Sequence, residues 1–326
     1  MPTPTLSPKL RRAAVFSAAK TRSRGSDAIY ATLGNVQSDG PSNLLQLEAI
    51  ARLDVAAASG LVVRGERLCV LADDSFALHL YTLDGTPCGE FALLPGSLPD
   101  DPKLRKAHKP DFEALVDLPD GSLLALGSGS ALHRARGVWI RFAETAMIAH
   151  EIDLGSLYAA CRGELPELNI EAGACIGATL FLLSRGNGAA RDNAVLTLDA
   201  DALLVQLAQG ALSATTLRGV QRIELGELHG TALSFTDACV LRDRLLFCAA
   251  AEASPDTYQD GVCAGSVLGI MEQSGRIIAT RPLTPLDKIE GLCLDPSRSG
   301  HALLVADADD PASRSPLYRC ALPDGW

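Results

Sequence analysis

The chain has 326 residues, 47% of them hydrophobic, with 29 glycines, 18 prolines and a formal net charge of −10. This supports a large buried core cut by many turns, and the acidic balance excludes general nucleic-acid binding, which draws its affinity from neutralised phosphates. No stretch approaches the ~20 apolar residues of a membrane span, and nine cysteines without a CxxC pair read as reduced, buried thiols of a cytoplasmic protein rather than a disulfide frame or zinc site.

Residues 1–43 are rich in Ser, Thr, Pro and Arg and carry no apolar signal-peptide core, so a partly disordered N-terminal extension is expected there. Residues 44–326 then read as a single domain. Its first run, "LLQLEAIARLDV" (44–55), alternates as a half-buried strand does. From residue 59 onward one phrase recurs five times: "SGLVVRGERLCVLADD", "EALVDLPDGSLLALGSGS", "EAGACIGATLFLLSRGN", "TDACVLRDRLLFCAAAE" and "EGLCLDPSRSGHALLVADADD". Each is a polar residue, a short apolar strand, a tight turn and a second apolar strand, ending in a small or polar loop.

The phrases start at 59, 113, 171, 236 and 290, and two further strand-like runs follow each of the first four. Four strands per unit at this spacing, with no convincing helix, predict an all-β fold: a β-propeller of four-stranded antiparallel blades. Five blades are expected, or six if residues 10–45 hold another. The last unit has only "YRCAL" (318–322) left, so the strand at 44–55 is expected to complete it and close the ring, removing two sheet edges.

In such a fold the first strand of each blade lines the channel, so Ser59, Glu113, Glu171, Thr236 and Glu290 converge at one end of the axis. Asp237 follows directly after Thr236. Crowded carboxylates must keep protons or hold a cation. An oxygen-only donor set without His or Cys suits a hard ion, Ca²⁺ before zinc.

The loops after the second strands return to the same rim. They bring Arg134, Arg136, Arg185, Asn187 and Arg191, with Lys109 and Lys288 just before two axial strands, as candidate grips for a small anionic molecule. Glu113, Asp111 and His133 are candidate proton-transfer groups, with His108 nearby. Tyr258 and Asp260 read as turn residues first. The glycine-rich "GSGSALHRARG" lacks the GKS/T of a P-loop.

The axial Ser-Glu-Glu-Thr-Glu set resembles that of the five-bladed calcium-activated nucleotidases (apyrases), with Thr for Ser at the fourth place. That resemblance implies a central calcium held by these residues. The "FEAL…LPDG" and "IEGL" phrasing is similar to bacterial propellers described as phytase-like or esterase-like. Together they imply a calcium-centred hydrolase of a small anionic ester, phosphoester before lactone. The alternative is a non-catalytic binding scaffold stiffened by a structural ion.

Overall fold

The computed structural model describes residues 31–32, 43–99, 101–144, 146–187, 190–253, 262–308, 310 and 312–326. Most of the expected N-terminal extension, and the rim segment containing Tyr258 and Asp260, lie outside the described residues.

Among the described residues, strands dominate. Two precede the repeated units: β1 (Ala31–Thr32) and β2 (Leu45–Arg52). The first blade is β3 (Ala58–Arg64), β4 (Arg67–Ala72), β5 (Ala77–Thr82) and β6 (Pro87–Ala92). The second is β7 (Phe112–Asp117), β8 (Leu123–Gly127), β9 (Arg136–Phe142) and β10 (Met147–Asp153). The third is β11 (Ile170–Ile176), β12 (Thr179–Ser184), β13 (Ala194–Asp199) and β14 (Leu217–Glu224), with β1 alongside β14 in parallel.

A short β15 (Glu227–Leu228) leads into β16 (Thr231–Leu241), β17 (Arg244–Ala253), β18 (Val262–Met271) and β19 (Ile277–Thr284). Last come β20 (Lys288–Leu294), β21 (His301–Asp307) and β22 (Pro316–Ala321). Strand β2 pairs antiparallel with β22, Leu47 opposite Cys320 and Ala49 opposite Tyr318. All nine cysteines are free thiols.

The core is not one mass. Separate apolar clusters fill the spaces between neighbouring sheets: Leu71 and Leu78 of the first blade meet Phe112 and Leu123 of the second. Phe181 meets Phe235 and Phe247 between the third and fourth, and Leu68 and Val70 meet Leu303 and Val305 between the first and last. A strand buried on both faces needs an apolar run rather than strict alternation. The second strands supply it, as in "LLALG" and "TLFLLS", almost wholly buried.

Among the described residues, three α-helices depart from the expectation of none. α1 (Pro102–His108) joins the first two blades, α2 (Gly155–Glu164) joins the second and third, and α3 (Ala200–Leu207) sits within the third. The α2 signal was present in the sequence: Leu154, Leu157, Tyr158, Cys161 and Leu165 recur at helical spacing and are all buried in one cluster. Asp199 caps α3, its carboxylate accepting from the Ala202 amide at 2.8 Å.

The registers share one irregularity. The pairing of each first strand with its second slips at one residue, between 58 and 60, 112 and 114, 170 and 172, 235 and 237, and 289 and 291. The skipped residues are Ser59, Glu113, Glu171, Thr236 and Glu290. A β-bulge leaves one residue out of the ladder and re-aims its side chain, so the same five positions break the strand alternation in every blade.

The residue after the bulge is small in four cases: Gly60, Ala114, Ala172 and Gly291. At Gly291 an added Cβ would run into Val305 Cγ2 and lie 3.1 Å from Leu61 Cβ. The inner strands pack too closely there for a side chain.

The β2–β22 pairing makes a covalent test available. Leu47 and Cys320 lie opposite one another and pack in the same apolar cluster. Leu47→Cys should therefore form one intramolecular disulfide with Cys320 under mild oxidation, read by non-reducing peptide mapping. Cross-linking to another cysteine, or none, would contradict this pairing.

Candidate functional site

The bulges open into a polar cavity of about 70 Å³ at one end of the inner strands. Ser59, Glu113, Glu171 and Glu290 line it. Residues two places before the bulges pair with residues leaving the second strands and form the next layer. The Asp73 amide bonds to Ala57 O, the Ser128 amide to Asp111 O, the Arg185 amide to Asn169 O, and Lys288 stands opposite Asp307. Ladder hydrogen bonding thus delivers Asp73, Arg185 and Asp307 to the cavity.

Six carboxylates line the cavity (Asp73, Asp111, Glu113, Glu171, Glu290, Asp307) against five cationic side chains (Lys106, Lys109, Arg134, Arg185, Lys288). Four of these cations are paired with carboxylates of the protein. Arg185, 5% exposed, lies 3.3 Å from Glu171, 3.4 Å from Glu290 and 2.5 Å from Glu252. Lys288 lies 3.1 Å from Glu290 and 3.5 Å from both Glu252 and Asp307. On the opposite side Arg134 is 2.8 Å from Asp111, and Lys109 bridges Asp73 and Asp111, the latter at 3.0 Å.

Arg185, Arg134, Lys109 and Lys288, expected as anion grips, each pair with carboxylates here, as buried ions do. Asp111 is an occupied acceptor: it takes hydrogen bonds from Ser128 and ion pairs from Lys109 and Arg134. It holds this place with φ +56°, a conformation that Asp tolerates better than most residues.

Glu113 is the exception. Alone among the six it makes no hydrogen bond or ion pair with the described residues. Burial, then the charges of Asp111, Glu171 and Asp73, push its carboxyl well above the ordinary range against the pull of Lys109. Burial and Glu290 also push Glu171 up, to about 8, although Arg185 draws it down. Asp73 is pushed up to about 6, by burial first.

The other predicted site residues fall elsewhere. Ser59 donates to Phe112 O at 2.6 Å, tying the first blade to the second. The Thr236 hydroxyl is fully buried with no hydrogen-bond partner among the described residues. Neither Thr236 nor Asp237 lines the cavity. Asp237 accepts from the Ala238 amide at 2.8 Å and the Leu292 amide at 2.6 Å, fastening the fourth blade to β20. It stands one place past the bulge and so points away from the mouth.

His133 is exposed on a short 3₁₀ turn outside the cavity, and His108 is exposed at the end of α1. Arg136 pairs with exposed Glu151. Arg191 lines a neighbouring cavity of about 160 Å³, which shares Asn187 with the first. Sequence reading missed Glu252 and Asn169, which donates to Glu171. Both sit where a strand meets the rim, as Asp73 and Asp307 do.

The trio Asp73, Asp111 and Glu113 brings one carboxylate oxygen each within 4.8 Å of the others. This all-oxygen set fits a hard divalent ion better than zinc. It is a smaller set than the five-residue ring, since Glu171 and Glu290 already have Arg185 between them.

The model of a family described as a family of unknown function (DUF6929) matches residues 54–322. The chain belongs to this family. No curated protein matches it. Among solved structures, the bifunctional GH43-CE protein of Bacteroides eggerthii is 10% identical with a TM-score of 0.50, over 87% of this chain and 35% of that one. A glycosyl hydrolase from Bacteroides ovatus is 11% identical, TM-score 0.42, over 83% and 85%. A calcium-binding protein, regucalcin, from Agrobacterium tumefaciens is 9% identical, TM-score 0.41, over 86% and 97%. At these identities the likeness concerns fold alone.

Two outcomes follow from the charge arrangement. Arg185→Met strands buried carboxylates and should lower unfolding free energy by about 3–5 kcal/mol, while Arg136→Met, at an exposed pair, should cost less than about 1 kcal/mol; urea denaturation compares them. The second concerns pH. A raised Glu113 means the folded chain keeps a proton that the unfolded chain releases, so this group's contribution falls as pH rises from the ordinary glutamate range toward the raised value. Glu113→Gln, which mimics the protonated form, should therefore be more stable than wild type at pH 8 and closer to it near pH 4. A difference independent of pH would contradict the raised carboxyl.

Proposed function

We propose that this chain is a five-bladed propeller closed by β2, whose channel mouth binds a hard divalent cation, Ca²⁺ first, between Asp73, Asp111 and Glu113. We infer that the ion serves hydrolysis of a small anionic ester, phosphoester before lactone. The observation that carries the reading is the convergence of three carboxylate oxygens, with Glu113 making no hydrogen bond or ion pair among the described residues.

When bound, a hard divalent ion would polarise an ester oxygen and acidify a water. The chain's own residues divide the remaining work. Glu113 holds a proton in the ion's absence and gives it up as ligand. Asp111, fixed by Ser128, Lys109 and Arg134, keeps the trio in place. Glu171, pushed up to about 8, is the carboxyl suited to exchange a proton with substrate near neutral pH. Arg191 is exposed, and its guanidinium makes no ion pair or hydrogen bond with the described residues, so it is the available grip for the anionic end.

A second reading is a non-catalytic scaffold. The three carboxylates gathered on Arg185 favour it, because a guanidinium can stiffen the ring without any ion.

Calcium titration separates the readings. Ion binding should raise the thermal midpoint, with stabilisation of about 2.7 kcal/mol at 100 times Kd, and Glu113→Gln should abolish the response. Phosphomonoesters, nucleoside diphosphates and simple lactones, each with calcium or chelator, then test turnover. A midpoint indifferent to calcium and chelator defeats the ion. Calcium binding without turnover on any of these supports the scaffold.

A further inference from the structure

Lys109 stands in an unusual place for a residue beside a cation site. Its amide donates to Arg105 O at 2.8 Å, so it continues the last turn of α1. Arg105 reaches Asp74 from the same segment, at 2.8 Å. The Lys109 ammonium, on a side chain 16% exposed, contacts Asp73 Oδ2 and lies 3.0 Å from Asp111 Oδ1. These are two of the three carboxylates whose oxygens converge. The trio already holds a cation, supplied by the chain.

We propose that Lys109 is the resident counter-ion of the Asp73–Asp111–Glu113 trio and that a divalent ion binds by displacing it. Lys109 then sets ion affinity and couples it to the seating of α1. This rests on the cation reading above and adds a selectivity residue to it. A lysine suits the role, being a compact point charge on a flexible stem that can swing aside, whereas the planar fork of an arginine would hold two carboxylates more rigidly. Asp111 already meets Arg134 as well as Lys109, so a divalent ion added beside both would suffer strong repulsion. An entering ion must therefore send the ammonium out to solvent, and the Asp73 contact that helps hold α1 is lost with it.

The test is calorimetric titration of the full chain with calcium chloride. Lys109→Met should bind Ca²⁺ at least tenfold more tightly than wild type. Lys106→Met, which removes a charge lining the same cavity, should tighten binding much less. Hydrogen exchange over residues 101–109 of the wild-type protein supplies a readout that needs no variant: calcium should speed exchange there as the Asp73 contact opens. If Lys109→Met does not fold, the exchange result decides. Equal affinity in wild type and Lys109→Met, equal tightening by Lys106→Met, or unchanged exchange in a calcium-loaded protein overturns the displacement and leaves the cation reading standing. No binding to wild type or Lys109→Met defeats the cation reading itself.

Discussion

A carboxylate turned into a protein interior by a strand bulge cannot stay charged and unpaired, and this fold turns three of them toward one axis. The rest of the rim is arranged around that constraint. Arg185 enters from the third blade to meet Glu171 of its own sheet, Glu252 of the fourth and Glu290 of the last. Lys288 shares Glu252 and Glu290 and adds Asp307. In a low-dielectric setting such pairs gain little net stability over an apolar core, but removing one member is costly. The charges therefore bind the blades' register together more than they stabilise any one sheet.

Supporting contacts hold these cations in place. Arg185 leads a loop clasped by buried Asn193, whose side chain accepts from the Gly186 and Phe235 amides and donates to Leu233 O at 2.8 Å. Arg134 hangs from the loop after β8, wedged by α2: Tyr158 donates to Gly127 O at 2.8 Å and Arg162 to Gly129 O. Gly129 has φ +72°, and a Cβ there would lie 2.5 Å from the Tyr158 ring, so glycine is required both by conformation and by contact. A helix outside the repeat thus positions a guanidinium inside the channel.

Much of this was legible in the sequence. The five phrases fixed the blade starts, and the residues opening them are the bulged ones, because a polar residue opening an apolar run signals a side chain that leaves the ladder. What the sequence could not show was pairing at a distance. Arg185 and Glu290 are 105 residues apart, and nothing local distinguishes an arginine that grips a ligand from one that answers a buried carboxylate. Nor does anything local to Asp237 reveal that it accepts from the Leu292 amide of the next blade. The α2 helix is legible in the helical spacing of Leu154, Leu157, Tyr158, Cys161 and Leu165, although it lies between two strand runs.

The central claim is that Arg185 meets Glu171 and Glu290 from within, and that Glu113, which has no hydrogen bond or ion pair among the described residues, marks the place for an outside cation. Anomalous diffraction from crystals of the full chain grown with Mn²⁺, a hard ion with a usable absorption edge, tests it most directly. The account predicts one peak within ligand distance of Asp73, Asp111 and Glu113, with Arg185 still between Glu171 and Glu290. A peak between Glu171 and Glu290 with Arg185 displaced, or none at the channel mouth, would contradict it.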